Sequence, residues 1–204
     1  ITEISKECFY NCLELNSINC PKATIIGDNA FNNCKVLPSI DFPLVTNIAF
    51  HGFNGCESVT SVSLPKVTTI GESSFSTCNS IESINLPLLE SIGTQAFSSC
   101  SKLKTVNLPK ATVISSNCFY GCSLLESVSI PNATSINSYA FYQCSALTTI
   151  NLPLATRIGA QCFYSCGKLA SISIPLVTEI SSRGFAYTSR LTSIELKKKK
   201  NIGD

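Results

Sequence analysis

Hydrophobic positions along this chain recur every 22 residues without slippage. Phenylalanine stands at Phe9, Phe31, Phe53, Phe75, Phe97, Phe119, Phe141, Phe163 and Phe185. Three residues later come Cys12, Cys34, Cys56, Cys78, Cys100, Cys122, Cys144 and Cys166, with Thr188 in the last copy. Twelve after each Phe comes proline, from Pro21 to Pro175, and then Lys197. Aliphatic ladders run from Leu15 to Leu191, Ile18 to Ile194 and Ile4 to Ile180. A fixed period of this size over nearly the whole length is the signature of a solenoid, in which each unit buries its apolar face only against its neighbours.

Within one copy the periodicity changes from place to place. Ser127, Val128, Ser129 and Ile130 alternate polar and apolar, which predicts a short strand with Val128 and Ile130 inward. Pro131 has no N–H for a ladder and ends it. Thr134 and Ile136 predict a second, shorter extended piece on the opposite wall. Ala140, Phe141 and Cys144 are spaced for a single helical or 3₁₀ turn from about residue 138 to 144. Parallel stacking of nine copies at ~4.8 Å gives a rod roughly 40 Å long.

The recurring form A-F-x-x-C-x-x-L-x-S-I-x-L-P-x-A-T-x-I is carried in one copy by Ala140, Phe141, Cys144, Leu147, Thr149, Ile150, Leu152, Pro153, Ala155, Thr156 and Ile158. It resembles the BspA-like class of leucine-rich repeats, found in bacterial and protozoan surface proteins. The slot that usually holds Asn or Cys in leucine-rich repeats is Ala133 here, and elsewhere Ala, Val or Leu89. The resemblance implies an α/β repeat solenoid: a right-handed curved rod with one short parallel strand per turn on the concave face and helical or 3₁₀ turns on the convex side. It also implies attachment, to host matrix proteins, host cells or neighbouring microbes.

Composition agrees with one repeat domain over residues 1–204. Hydrophobic residues make up 44% of the chain and charged residues 14%, enough apolar surface for a packed core. A formal net charge of +2, with the basic residues scattered, leaves no footprint for nucleic acid. No apolar run is long enough to span a membrane. Ile1, Thr2 and Ile4 occupy the register of Ala23, Thr24 and Ile26, so the chain opens in mid-repeat, as expected of a segment with more protein upstream or a cap removed. At the other end Lys197, Lys198, Lys199 and Lys200 replace the Pro-x-Val-Thr segment, and residues 197–204 are expected to cap the last turn with charge.

Twelve cysteines raise the question of disulfides or metal. Eight lie among the Phe and Leu ladders, Cys20 takes an inward strand slot, and Cys8, Cys118 and Cys162 share a slot with Ala30, Gly52 and Ser74 that asks only for small size. All twelve read as packing residues, with most or all of the thiols free. The Cys118/Cys122 type of pair is half a zinc site without the other half. The lone histidine, His51, falls in a variable polar slot without a general-base partner. No catalytic residue, metal or cofactor is assigned, and the chain reads as a non-enzyme.

What remains for function is surface. The outward strand slots form a nearly neutral platform of hydroxyls and amides on the concave face, with Asn85, Thr105, Asn107, Ser127, Ser129, Thr149 and Asn151 as candidate binding residues. Uniform repetition explains most of that face, so departures from it carry more information. Five of six tyrosines lie from Tyr120 onward, and Tyr120, Tyr142 and Tyr164 occupy one slot in three consecutive copies. They predict a stacked, partly exposed aromatic stripe suited to an interface. One N-glycosylation sequon, Asn132-Ala133-Thr134, is present. The leading functional reading is an extracellular or cell-surface binding module for a protein or glycan, without nucleic acid or a membrane span, and able to self-associate through its solenoid ends. The competing reading is an intracellular, cytoplasmic scaffold for protein–protein interaction.

Overall fold

The computed structural model describes residues 1–196 of the chain; the lysine-rich segment expected to cap the last turn lies outside them. The described chain winds into about nine turns carrying two parallel strand columns. One column has three-residue strands, from Ser39–Asp41 to Ser193–Glu195, and the other has two-residue strands, from Glu3–Ile4 to Glu179–Ile180. Neighbouring strands pair in a register of 22, so Ile136 meets Ile114 and Ile158. The expectation of one strand per turn is therefore corrected to two. The extended piece around Ile136 becomes a strand because its N–H and C=O groups find the same groups one turn away.

The expected helical turns do not form among the described residues. The reason lies at the positions two before and two after each Phe, where every turn has left-handed backbone. In the sixth turn these are Asn117 (φ 56°) and Gly121 (φ 71°), and bulkier residues such as Thr77 (φ 59°) and Tyr139 (φ 60°) accept the same conformation elsewhere. The amides then alternate in direction. Cys118, Tyr120 and Cys122 donate to Ser115, Asn117 and Phe119 within their own turn, at 3.1 to 3.2 Å. Asn117, Phe119 and Gly121 donate to Ser138, Ala140 and Tyr142 of the next turn, at 2.8 to 3.0 Å. The first set has the i−3 spacing that imitates a 3₁₀ helix in the sequence, while the second ties this corner into the stack. A helix here would orphan half of those inter-turn bonds.

Phenylalanines fill the axis. Phe31, Phe53, Phe75, Phe97, Phe119, Phe141 and Phe163 are fully buried, and consecutive rings stack nearly parallel. Phe42, outside the 22-residue register, wedges against both Phe31 and Phe53 at 5.8 and 5.9 Å. The cysteine ladder is more than small apolar filler. Each Sγ from Cys34 to Cys166 in the Phe+3 slot donates to the carbonyl of the Phe one turn back, as in Cys144 to Phe119 O at 3.2 Å.

The stack is not uniform. The three-residue column is interrupted between Ser61–Ser63 and Ser83–Asn85, and again between Ser127–Ser129 and Thr149–Asn151. The two-residue column is interrupted once, between Ser91–Ile92 and Val113–Ile114. The phenylalanine ladder registers the same three seams: ring centroids lie 5.4, 5.4 and 5.7 Å apart for Phe53–Phe75, Phe119–Phe141 and Phe97–Phe119, against 5.0 to 5.3 Å elsewhere. Val62 and Val128, the central residues of strands bordering the first two seams, pack inward against the core, as expected of Val128, but are only partly buried.

Candidate functional site

The tyrosine slot follows directly after the buried Phe, on the corner held by left-handed backbone. Because that corner is hydrogen-bonded turn to turn, side chains in one slot are placed one strand spacing apart. Tyr120, Tyr142 and Tyr164 stack with centroids 4.8 Å apart and interplanar angles of 1° and 7°. Tyr139 leans on Tyr142 at 5.8 Å, and Tyr187 meets Tyr164 edge-on at 4.9 Å. The column rings are half-buried, while Tyr187 is 71% exposed. Burial, followed by the neighbouring Tyr187 phenol, pushes the Tyr164 phenol above its ordinary pKa. The Gln161 amide donates to the Tyr139 hydroxyl at 3.2 Å. The stripe predicted by the sequence is thus formed and extended at one end.

Core shielding does not account for these rings. Phe75 and Phe97 are as fully buried beneath Ser76 and Ser98 as Phe119, Phe141 and Phe163 are beneath the tyrosines. Beside the column a groove of about 320 Å³ is lined by Gly121, Ser123, Gln143, Ser145 and Ser165. It supplies hydroxyl and amide groups next to the aromatic surface.

The second predicted set, on the three-residue strands, is exposed throughout: Asn85, Thr105, Asn107, Ser127, Ser129, Thr149 and Asn151. It is not one continuous platform. A seam separates Ser127 and Ser129 from Thr149 and Asn151, and the Asn107 amide donates to the Asn85 side chain at 2.9 Å, so part of its capacity is used internally. Tyrosines and strand residues sit on different segments of the repeat, so the two sets form two surfaces.

A further groove, about 560 Å³, is lined by Glu90, Lys110, Thr112, Asn132, Thr134 and Leu154. It borders the seam in the two-residue column. In the neighbouring turns threonine hydroxyls donate to the threonine carbonyl one turn back, as in Thr134 to Thr112 at 3.1 Å. Glu90 interrupts that ladder, and among the described residues no backbone bond joins Thr112 to Glu90 or Ser115 to Ile92. The Ser115 hydroxyl takes over, donating to Ile92 O at 2.6 Å. In sequence the only sign of this break is Glu90 in a threonine slot. Asn132 of the sequon is exposed, with its amide donating to Pro109 O at 2.7 Å.

Chemistry elsewhere is sparse. His51 stacks on Phe50 at 3.8 Å, a partner the sequence reading did not give it, and burial lowers its pKa against the pull of Glu72. Nine cysteines are buried and all twelve are free thiols, but Cys8 is exposed and Cys12 and Cys20 are half-buried, so packing does not enclose all twelve. Burial raises the thiol pKa of Cys34 to about 11 and of Cys100 and Cys166 to about 12. Among the described residues no group of three or more His, Cys, Asp or Glu is placed to hold a metal. Lys104 pairs with Glu82 one turn back at 2.9 Å and Arg157 with Glu179 one turn on at 3.4 Å, whereas Glu126, in the slot of Glu82 and Lys104, makes no such pair. No helix among the described residues is long and apolar enough to cross a membrane.

Comparison with known proteins places this geometry. The family model described as the BspA-type leucine-rich repeat region matches residues 2–124 and 112–204, in six copies. Among solved structures, a leucine-rich repeat protein from Bacteroides ovatus is similar at 28% identity and a TM-score of 0.75. The match covers 95% of this chain and 59% of that one, so the chain spans well under two thirds of that protein's length. A leucine-rich repeat protein from Eubacterium ventriosum shares the fold at 19% identity and a TM-score of 0.71, over 93% of this chain and 67% of that one. The leucine-rich repeat protein of T. pallidum shares it at 23% identity and a TM-score of 0.57, over 86% and 75%. No curated protein sequence matches the chain. With the family model spanning nearly every residue and the two-column solenoid repeating in its register, the chain belongs to the BspA-type leucine-rich repeat family.

Proposed function

We propose that this chain is a non-catalytic binding module displayed outside the cell, which engages a protein partner through the tyrosine column of its later turns. The observation that carries this reading is the redundancy of the tyrosines for the fold: the phenylalanine core is equally buried with serine or tyrosine above it. Half-exposed aromatic area that the core does not require is what binding hot spots are built from. The near-neutral charge supports a contact made by packing and hydrogen bonds, with little electrostatic steering. Display at the surface follows the attachment role that the resemblance to BspA-like proteins implies.

The test is binding of the chain to immobilised extracellular-matrix proteins and to a glycan array, beside a variant carrying Tyr120→Ser, Tyr142→Ser and Tyr164→Ser. The reading expects a matrix protein to be bound and the triple variant to lose at least about 30-fold in affinity, the scale of one hot-spot residue of about 2 kcal/mol. Unchanged binding by a folded triple variant sinks it. Binding confined to the glycan array replaces the protein partner with a sugar.

A further inference from the structure

The tyrosine column is closed at one end and open at the other. At the Tyr164 end the same slot in the next turn holds Ala186, and Tyr187 covers the stack edge-on. At the Tyr120 end the slot holds Ser98 and, one turn further, Ser76, each with a single heavy atom beyond Cβ. Tyr142 covers one face of the Tyr120 ring, and the other face has no ring against it. Rungs of this stack are 4.8 Å apart, so the level of Ser98 is the first rung beyond Tyr120 that carries no ring. The slot itself takes a ring, because Tyr10 and the three column tyrosines occupy it in other turns. The flanking residues of the Ser98 turn, Gln95 and Ser99, are uncharged.

Resting on the function proposed above, we infer that this vacant rung is the anchoring point for the partner: an aromatic side chain of the partner protein stacks on the free face of Tyr120 at the level of Ser98. A fourth parallel ring continues the geometry that the other three already adopt. A charged group gains nothing from Gln95, Ser98 and Ser99. A flat ring covers more of the free Tyr120 face than a branched aliphatic side chain does.

The inference is tested on the whole chain by NMR titration with three probes: N-acetyl-tyrosinamide, N-acetyl-leucinamide and methyl β-glucopyranoside. Tyrosinamide is expected to shift Ser98 and Ser76 upfield through its ring current and to bind about 2- to 10-fold more tightly than leucinamide, the range expected for one stacked pair. Ser98→Tyr fills the rung from within and Tyr120→Ser removes its wall, so each abolishes the shifts; Tyr164→Ser, at the closed end, leaves them within about twofold. Equal binding of leucinamide, a response to the glucoside alone, or shifts that survive in Ser98→Tyr each overturn the inference. The two readings fail separately. If the triple tyrosine variant loses the matrix protein while Ser98→Tyr keeps it, the column binds but the rung is not used. If the triple variant still binds, the function proposed above falls, and the probe titration decides the rung by itself.

Discussion

Replacing one ladder cysteine by alanine and, separately, by serine distinguishes a hydrogen-bonding thiol from an apolar filler. Cys144 is fully buried, and its Sγ donates to Phe119 O at 3.2 Å, a carbonyl that also accepts the Cys122 N–H at 3.2 Å. Cys144→Ala removes one buried heavy atom, worth about 0.8 kcal/mol by analogy with a methylene. The small void left behind adds roughly 0.5 kcal/mol. The lost bond adds about 0.5 to 1 kcal/mol, at the lower end because a thiol is a weak donor. The sum is about 2 kcal/mol. Cys144→Ser loses similar volume but retains a donor, and Thr188 shows that a hydroxyl in this slot finds a phenylalanine carbonyl, bonding Phe185 O of its own turn at 2.6 Å. Serine is therefore expected to cost no more than alanine. Urea unfolding followed by far-ultraviolet circular dichroism in reducing buffer, with equal m-values for all three chains, gives both differences. If serine proves worse than alanine by about 1 kcal/mol or more, its hydroxyl is buried without a partner and the thiol ladder is only a packing device.

Further predictions concern the seams, the close contacts between turns, and the thiols. The N–H groups of Thr112 and Ser115, beside the seam in the two-residue column, are expected to exchange with deuterium at least about tenfold faster than those of Thr134 and Asn137, which are bonded one turn back at 2.8 and 2.9 Å; equal protection in a residue-resolved exchange experiment refutes the seam. Gly93→Ala places a Cβ 2.4 Å from the backbone of Gly71 and Glu72 and is expected to cost at least about 2 kcal/mol, whereas Gly167→Ala meets nothing within 4 Å and leaves the urea midpoint unchanged or higher. A thiol reagent at pH 8 is expected to label Cys8, Cys12 and Cys20 in the native chain and the nine buried thiols only on unfolding. Because burial raises the folded pKa of Cys34 to about 11 and of Cys100 and Cys166 to about 12, from an ordinary value near 9.0, thiol-linked stability is complete below pH 9 and lost as pH climbs through 11 and 12. An alkaline transition whose midpoint does not move when ladder cysteines are replaced contradicts that linkage.

The period of 22 is readable because a solenoid has one core slot per ladder, and each slot repeats its chemistry. Phe119, Leu125, Ile130 and Ile136 declare themselves inward without reference to any other part of the chain, and burial agrees for each. The helical turn misled for a physical reason. The spacing of Ala140, Phe141 and Cys144 reports i−3 contacts, which a helix and a run of tight turns share. What separates the two is the direction of alternate amides, set by left-handed residues such as Asn117 and Gln143. Asn and Gly mark that conformation, but Thr77, Tyr139 and Arg183 adopt it too, held there by the bonds of the stack, so side-chain identity does not announce it.

The surface divides along the same line. A column of tyrosines can be predicted because one slot repeated at strand spacing must stack; that the stack ends in a free face follows from Ser98, which was equally visible in the sequence. The seams were not. Each is a gap in strand pairing with only a slight widening of the phenylalanine ladder, and Glu90 is the only local sign at one of three places. Repetition fixes the average turn, and small departures from it decide where a solenoid can open or bind. In this chain those departures share turns but fall on different segments of them: backbone bonds are missing between turns at the seams, whereas at the tyrosine corner every inter-turn backbone bond is made. The tyrosine column therefore stands on backbone hydrogen-bonded from turn to turn, with Asn117, Phe119 and Gly121 each tied to the next turn. The proposed partner ring would meet tyrosines already stacked in the free chain, so little ordering free energy would be subtracted from the contact.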